Sequence, residues 1–119
     1  MKKVKRKTVR RQLAPVKLRV MAEYGSSGIW LIQQVGVFRH SMVGYSSLGI
    51  PRELAKRFEE WIAVYENKSD ETSDYDCLAF NAEGRLLAQA VKHHVGSDSS
   101  VEFLAETPEG GLSPAEEIV

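Results

Sequence analysis

The sequence predicts an α/β fold, with a small mixed or parallel sheet of three to five strands and two amphipathic helices. Three observations lead to it. The stretch Lys17–Trp30, KLRVMAEYGSSGIW, alternates apolar and polar residues before a turn of small residues, which is the pattern of a half-buried strand. Two later segments, 51–66 and 84–95, carry apolar stripes at helical spacing. Strand-like segments near 76–81 and 100–106 alternate with these helices, and that order is typical of parallel strands joined by right-handed crossovers.

The length and composition restrict the class of protein. With 119 residues the chain can form one hydrophobic core but not two. Its single cysteine, Cys77, excludes an internal disulfide framework and lies in an apolar run, so we expect a buried, inert thiol and a cytoplasmic location. No run of 18 apolar residues suggests a membrane span, and no apolar segment follows the basic start as a secretory signal would require.

The zero net charge conceals a strong segregation of charge along the chain. Residues 1–11 hold seven basic residues and no acid, whereas the remaining residues hold nine basic and sixteen acidic ones, a net of −7. We therefore predict a disordered basic arm over 1–14, one α/β domain over 15–106 and a disordered acidic tail over 107–119. The arm either improves solubility or binds phosphates electrostatically. Because it lacks aromatic residues for base stacking, nucleic acid is an unlikely partner except through residues 2–11.

The first predicted strand, near 16–24, leads into the turn Gly25-Ser26-Ser27-Gly28. A phosphate-binding loop is one interpretation of this turn, but the segment lacks the lysine of a P-loop and the full glycine pattern of a dinucleotide site. The apolar residues from Ile29 to Val35 form either a second short strand or the continuation of a hairpin, rather than the helix that a phosphate loop needs. A tight turn is therefore the favoured interpretation, and the question of a ligand stays open.

A polar pair, Arg39 and His40, follows within an otherwise apolar segment. It is either a functional site on a loop or an exposed loop tip. His40 has no second metal-binding side chain at the spacings that a metal site uses, so we predict no metal there. A small enzyme would have to combine a serine of the 24–30 loop with Arg39 and His40, and with Glu23 as the acid.

Residues 51–66 form the clearest predicted helix. Pro51 suits the first helical position, and Glu53 lies near the positive end of the helix dipole. One apolar stripe faces the core and consists of Leu54, Phe58, Trp61, Ile62 and Tyr65. Because tryptophan buries a large area, Trp61 is the predicted anchor of the core.

The segment 67–76 reads as a mobile acidic linker. The short apolar run after it, Cys77–Phe80, predicts a strand covered on both faces, near 76–81. Asn81 is then the predicted N-cap of the second helix, 84–95. A last alternating segment, 100–106, predicts a strand near the edge of the sheet.

The last turn of that second helix holds Lys92, His93 and His94, and Gly96 follows it. Cations at this position compensate the helix dipole, and a glycine there ends the helix. Adjacent residues point about 100° apart on a helix, so the two histidines are poorly placed to share a metal ion. We therefore predict neither a metal nor a cofactor for this chain.

Four segments resemble a group of small bacterial proteins that includes immunity proteins of contact-dependent and polymorphic toxin systems. The segments are RVMAEYGSSGIW, LGIPRELAKRFEEWIAVYE, FNAEGRLLAQAVKHHVG and VEFLAE, and they span roughly residues 17–106. The basic arm lies outside this pattern, and Ile50 stands where the pattern has leucine before the proline. The resemblance implies a non-enzymatic protein that neutralises a cognate toxin, possibly a nuclease, by protein–protein contact.

The charge of the domain points in the same direction independently, because an acidic surface can enter the basic cleft of a nuclease and associate rapidly with it. The predicted contact residues lie close in sequence and off the apolar stripe: Glu59, Glu60, Glu66, Asp70, Glu71, Asp74 and Asp76. An ordinary solvated face is the alternative interpretation of these charges. The alternative functions are an accessory binding domain without a toxin partner, or the small enzyme outlined above.

Overall fold

The structure, a computed structural model, describes residues 15–33, 39–68 and 75–119. The predicted basic arm therefore lies outside the described residues. In chain order the elements are β1 (Lys17–Val20), β2 (Ile29–Gln33), β3 (Arg39–Met42), a 3₁₀ helix (Tyr45–Leu48), α1 (Arg52–Glu66), α2 (Cys77–Val95), β4 (Ser100–Phe103) and β5 (Glu116–Ile118). Within these ranges no helix is both long and apolar enough to cross a membrane.

The described strands form one mixed sheet in the order β3-β2-β1-β4-β5. Strands β1 and β4 are parallel, with Leu18 opposite Val101, and the other three pairs are antiparallel. The predicted α/β class, with a mixed sheet and two helices, is confirmed. The last predicted strand, 100–106, forms β4 and lies one strand in from the edge of the sheet, because β5 pairs with its outer side.

The prediction of a strand near 76–81 is wrong, because Asp76 is the N-cap of α2 and the residues after it form the first turn of that helix. Asp76 caps the helix, and its carboxylate accepts a hydrogen bond of 3.1 Å from the backbone N–H of Ala79. The apolar run is not covered on both faces, since Leu78 is 81% exposed while Phe80 is buried. Asn81, the predicted N-cap, is buried inside α2, where its side-chain amide exchanges two hydrogen bonds of 2.9 Å with the backbone of Glu106.

The acidic tail predicted over 107–119 contains a short strand, so that prediction is wrong for Glu116–Ile118. Ile118 is the reason, since it lies opposite Val101 and is buried in the core. One apolar residue among acids is a weak signal in the sequence, and the pairing with β4 is what makes the strand form.

The predicted apolar stripe of α1 forms the centre of the core. Phe58, Trp61, Ile62 and Tyr65 are buried and Leu54 is partly buried. Pro51 was predicted at the first helical position. In the structure it is the N-cap of α1, and its backbone is extended, with φ of −61° and ψ of 151°.

The turn between β1 and β2 depends on two glycines with positive φ, Gly25 at 68° and Gly28 at 87°. The hairpin closes at its base through a hydrogen bond of 3.0 Å from Met21 N–H to the Gly28 carbonyl. The surroundings of the two glycines differ. A Cβ on Gly25 would have no neighbour within 4 Å, whereas one on Gly28 would lie 3.0 Å from Phe58 and 3.3 Å from Trp61.

These two glycines give a matched pair of variants. Gly25→Ala should lower the free energy of unfolding by about 1–2 kcal/mol, the cost of left-handed backbone for a residue with a Cβ. Gly28→Ala should lower the free energy of unfolding by about 1–3 kcal/mol more than Gly25→Ala does, because the added methyl group also crowds the aromatic side chains of α1. Chemical denaturation measures both values. Equal losses for the two variants would show that the crowding at Gly28 is relieved without cost.

Candidate partner-binding surface

The side of α1 that faces away from the sheet carries three of the seven acids predicted to contact a partner. We call Lys56, Glu59, Glu60, Ala63 and Glu66 the outward face of α1, and all five are exposed. At about 100° per residue they fall within an arc of about 120° of the helix. The fold therefore brings three acids and one cation together on a single surface.

The acids at the centre of this face form no ion pair with any residue that the structure describes. The described residues form four ion pairs: Arg19–Glu102, Arg57–Glu83, Lys68–Glu106 and Arg85–Glu116. Each pair uses one acid and one base, so the excess negative charge remains with the acids outside these pairs. Among the described residues, neither Glu59 nor Glu60 takes part in an ion pair.

Glu59 also acts on a tyrosine beneath the helix. Burial, and to a smaller extent the charge of Glu59, raises the pKa of Tyr45 to about 12. The Tyr45 ring lies 6.0 Å from the Phe58 ring, and its hydroxyl donates a hydrogen bond of 2.8 Å to the carbonyl of Ser27. Tyr45 therefore stays neutral at physiological pH and adds no charge beside the acidic face.

Two of the predicted contact acids also stabilise the fold. Glu66 accepts a hydrogen bond of 2.7 Å from the backbone N–H of Gly25, and so ties the β1–β2 turn to the end of α1. Asp76 caps α2, as described above. Both side chains are exposed, so each can contribute charge to a surface while it performs this task.

The remaining predicted acids, Asp70, Glu71 and Asp74, lie outside the described residues. The residues on either side of their segment are fixed to one buried carboxylate. Lys68 Nζ lies 2.9 Å from Glu106 Oε1, and the Tyr75 hydroxyl lies 3.3 Å from the same oxygen. Both ends of the linker are therefore held together beside the C-terminal end of α1.

Glu106 perturbs both of these partners. Burial lowers the pKa of Lys68, but the hydrogen bond and the charge of Glu106 outweigh it, so that the pKa is raised overall. Burial, followed by the charge of Glu106, raises the pKa of Tyr75. This cluster could not be predicted from the sequence, because Lys68 and Glu106 are 38 residues apart and their pairing depends on the tertiary fold.

A groove of about 560 Å³ runs between α1 and α2 beside the outward face. Trp61 and Phe80 are among the residues that line it, and Val64, which also lines it, is 46% exposed. Glu60 and Asp76 also line it. The groove therefore offers apolar area next to negative charge, the composition of many protein-binding surfaces.

The geometry of the β1–β2 turn does not favour a catalytic or phosphate-binding site there. Strand β2 follows the turn, so the turn does not lead into the helix N-terminus that a phosphate loop needs. The Ser26 hydroxyl donates to the Glu23 carbonyl at 2.9 Å, and the Ser27 hydroxyl donates to the Val43 carbonyl at 2.6 Å. Both hydroxyls are thus used within the fold.

The other residues of the hypothetical enzyme site, Arg39 and His40, lie on β3. Their backbones pair with Gln33 and Ile32. Their side chains lie outside the described part of the structure, so their relation to the turn stays a prediction.

The paired histidines lie at the end of α2, as predicted. His93 and His94 are both exposed, and His94 Nε2 lies 2.8 Å from the carbonyl oxygen of Leu48. Within the described residues, no group of three or more His, Cys, Asp or Glu side chains is placed to hold a metal ion.

The comparison with protein families gives a match that covers most of the chain. Residues 16–106 match the family described as Serratia CdiI immunity protein-like. The chain therefore belongs to this family, and the resemblance to contact-dependent inhibition immunity proteins is confirmed. The assignment suggests a toxin-neutralising role. No curated protein and no solved structure matches the chain.

Proposed function

We propose that this protein neutralises a cognate toxin in the cytoplasm by direct protein–protein contact, without catalysing a reaction. The outward face of α1 is the proposed centre of the contact, and we propose that the linker acids Asp70, Glu71 and Asp74 contact the toxin as well. The observation that carries the proposal is that Glu59 and Glu60 are exposed and, within the described residues, outside every ion pair. Family membership supports the toxin-neutralising class.

The charge of this surface favours a cationic partner, and we propose a nuclease. A nuclease must hold a phosphodiester backbone, so its cleft carries basic residues. An acidic surface is attracted to such a cleft over distances of about 10 Å at 0.1 M salt, which accelerates association. The basic arm has the wrong sign for this partner, so we expect residues 1–14 to be dispensable for neutralisation.

The proposal can be tested with the product of the adjacent gene as the candidate toxin. Co-expression should restore growth of cells that the candidate toxin inhibits, and the two proteins should co-purify. In a purified assay, inhibition should rise with the molar ratio and reach its maximum near one equivalent, as stoichiometric binding requires. A variant that lacks residues 1–14 should behave like the full chain.

Two results would contradict the proposal. If the protein elutes alone and the neighbouring product is harmless, an accessory binding domain without a toxin partner becomes the better interpretation. If far less than one equivalent of the protein inactivates the toxin, and His40→Ala abolishes that effect, the enzyme hypothesis replaces contact inhibition.

A further inference from the structure

The β1–β2 turn presents one large side chain to solvent. Tyr24 is 57% exposed although it is aromatic. Its ring rests against the ring of Tyr65 on α1, with the centroids 5.0 Å apart and the planes at 55°. One side of the Tyr24 ring is therefore supported by the core, while more than half of the side chain is open to solvent.

The rest of the turn holds Tyr24 in place. Gly25 N–H donates to Glu66, and the Ser26 hydroxyl donates to the carbonyl of Glu23. The Ser27 hydroxyl bonds to Val43, and the Ser27 carbonyl accepts from Tyr45. Such a turn is ordered before any partner arrives, which removes part of the entropic cost of binding.

Two carboxylates lie close to the backbone of Tyr24 and the residue after it. Glu23 precedes Tyr24, and its carboxylate lies 3.3 Å from the Tyr24 backbone nitrogen. The carboxylate of Glu66 lies 2.7 Å from the next backbone nitrogen and belongs to the outward face of α1. The turn and that face thus form one continuous acidic surface with an aromatic ring at its border.

The neighbouring Tyr65 ring already contacts a cationic side chain of this protein. Lys68 Nζ lies 4.3 Å from the centroid of the Tyr65 ring, which is a cation–π contact. Tyr24 packs on that same ring, and more than half of the Tyr24 residue is exposed to solvent. Tyrosine also ranks among the residues that most often dominate the binding energy of protein interfaces.

We propose that Tyr24 anchors the toxin interface by receiving an arginine or lysine side chain of the toxin against its ring, with Glu23 and Glu66 beside it. This inference rests on the proposed function and adds the residue and the chemical group that it recognises. It extends the contact surface from α1 to the β1–β2 turn.

The test compares three substitutions at one position, with the full chain and the product of the adjacent gene as the probe. Tyr24→Phe keeps the ring and should bind within about threefold of the parent. Tyr24→Leu keeps apolar area but lacks the ring, and Tyr24→Ala lacks both, so each should raise the Kd about tenfold or more, in the range of interface hot spots. Leu86→Ala, at an exposed residue of α2, is the control and should bind like the parent. Thermal unfolding of each variant checks that the fold is intact.

The outcomes distinguish a failure of the Tyr24 anchor from a failure of the proposed function. If the parent protein does not bind the adjacent product, the proposed function and this inference both fail. If the parent binds and folded Tyr24→Ala binds equally well, only the anchor role of Tyr24 is overturned. If Tyr24→Leu binds like Tyr24→Phe, or if Tyr24→Phe is as weak as Tyr24→Ala, the cationic group is the wrong assignment.

Discussion

Trp61→Ala should lower the free energy of unfolding by about 3–5 kcal/mol, the usual range for the loss of a large core side chain. Trp61 is only 3% exposed. Its ring stacks on Phe80 with the centroids 4.7 Å apart and meets Phe58 edge-on at 6.2 Å. Its indole N–H also donates a hydrogen bond of 2.9 Å to the carbonyl of Phe80, so the substitution removes contacts between α1 and α2 as well as burial.

The expected loss is a large part of the total, because small domains are stable by about 5–15 kcal/mol. Denaturant unfolding followed by circular dichroism measures it. Val64→Ala is the control on the same helix, since Val64 is 46% exposed and its truncation should cost less than about 1 kcal/mol. A Trp61→Ala variant that melts within a degree or two of the parent would show that Trp61 is not the anchor of the core.

The helix α1 could be predicted from the sequence because its information is local. Its apolar residues recur at helical spacing, and the structure buries the same stripe that the spacing indicates. The polar residues of the helix are then forced outwards, so the exposure of Glu59 and Glu60 follows from the same pattern. This part of the candidate site was predictable for the same reason as the fold class.

The sequence prediction for the start of α2 is wrong because a four-residue apolar run fits either a buried strand or one turn of a helix. Length and flanking residues must decide between them. Asp76 supplied the deciding signal, since an aspartate three residues before Ala79 can cap a helix whose first turn contains Cys77 and Phe80. Strand β5 gave no comparable signal, because a three-residue strand with one buried side chain depends on its neighbour β4.

Contacts between distant parts of the chain could not be predicted. The hydrogen bond from Gly25 to Glu66 joins residues 41 apart, and the sequence assigned that glutamate to the partner surface alone. Gly84 is a similar case within the EGR segment of α2. A Cβ at that position would lie 2.6 Å from both Trp61 and Phe103, so the glycine permits close packing that helical spacing does not reveal.

Reversing the charge of the outward face should slow association with the toxin. In the double variant Glu59→Lys and Glu60→Lys, we expect the association rate constant at low salt to fall at least about tenfold, because electrostatic steering changes such rates by about 10–1,000-fold. Its dependence on ionic strength should also become weaker or reverse. Since neither acid forms an ion pair among the described residues, the fold should keep its stability. Stopped-flow mixing with the product of the adjacent gene, over a series of salt concentrations, measures both effects.

The control must change the net charge equally at another place. Glu109→Lys with Glu117→Lys meets this condition, because both acids are exposed and lie outside α1. At 0.1 M salt the potential of a charge decays over about 10 Å, so a reversal away from the contact should slow association much less than one within it. Equal effects of the two double variants would mean that the toxin responds to the net charge of the domain, and the outward face of α1 would lose its role as the contact surface.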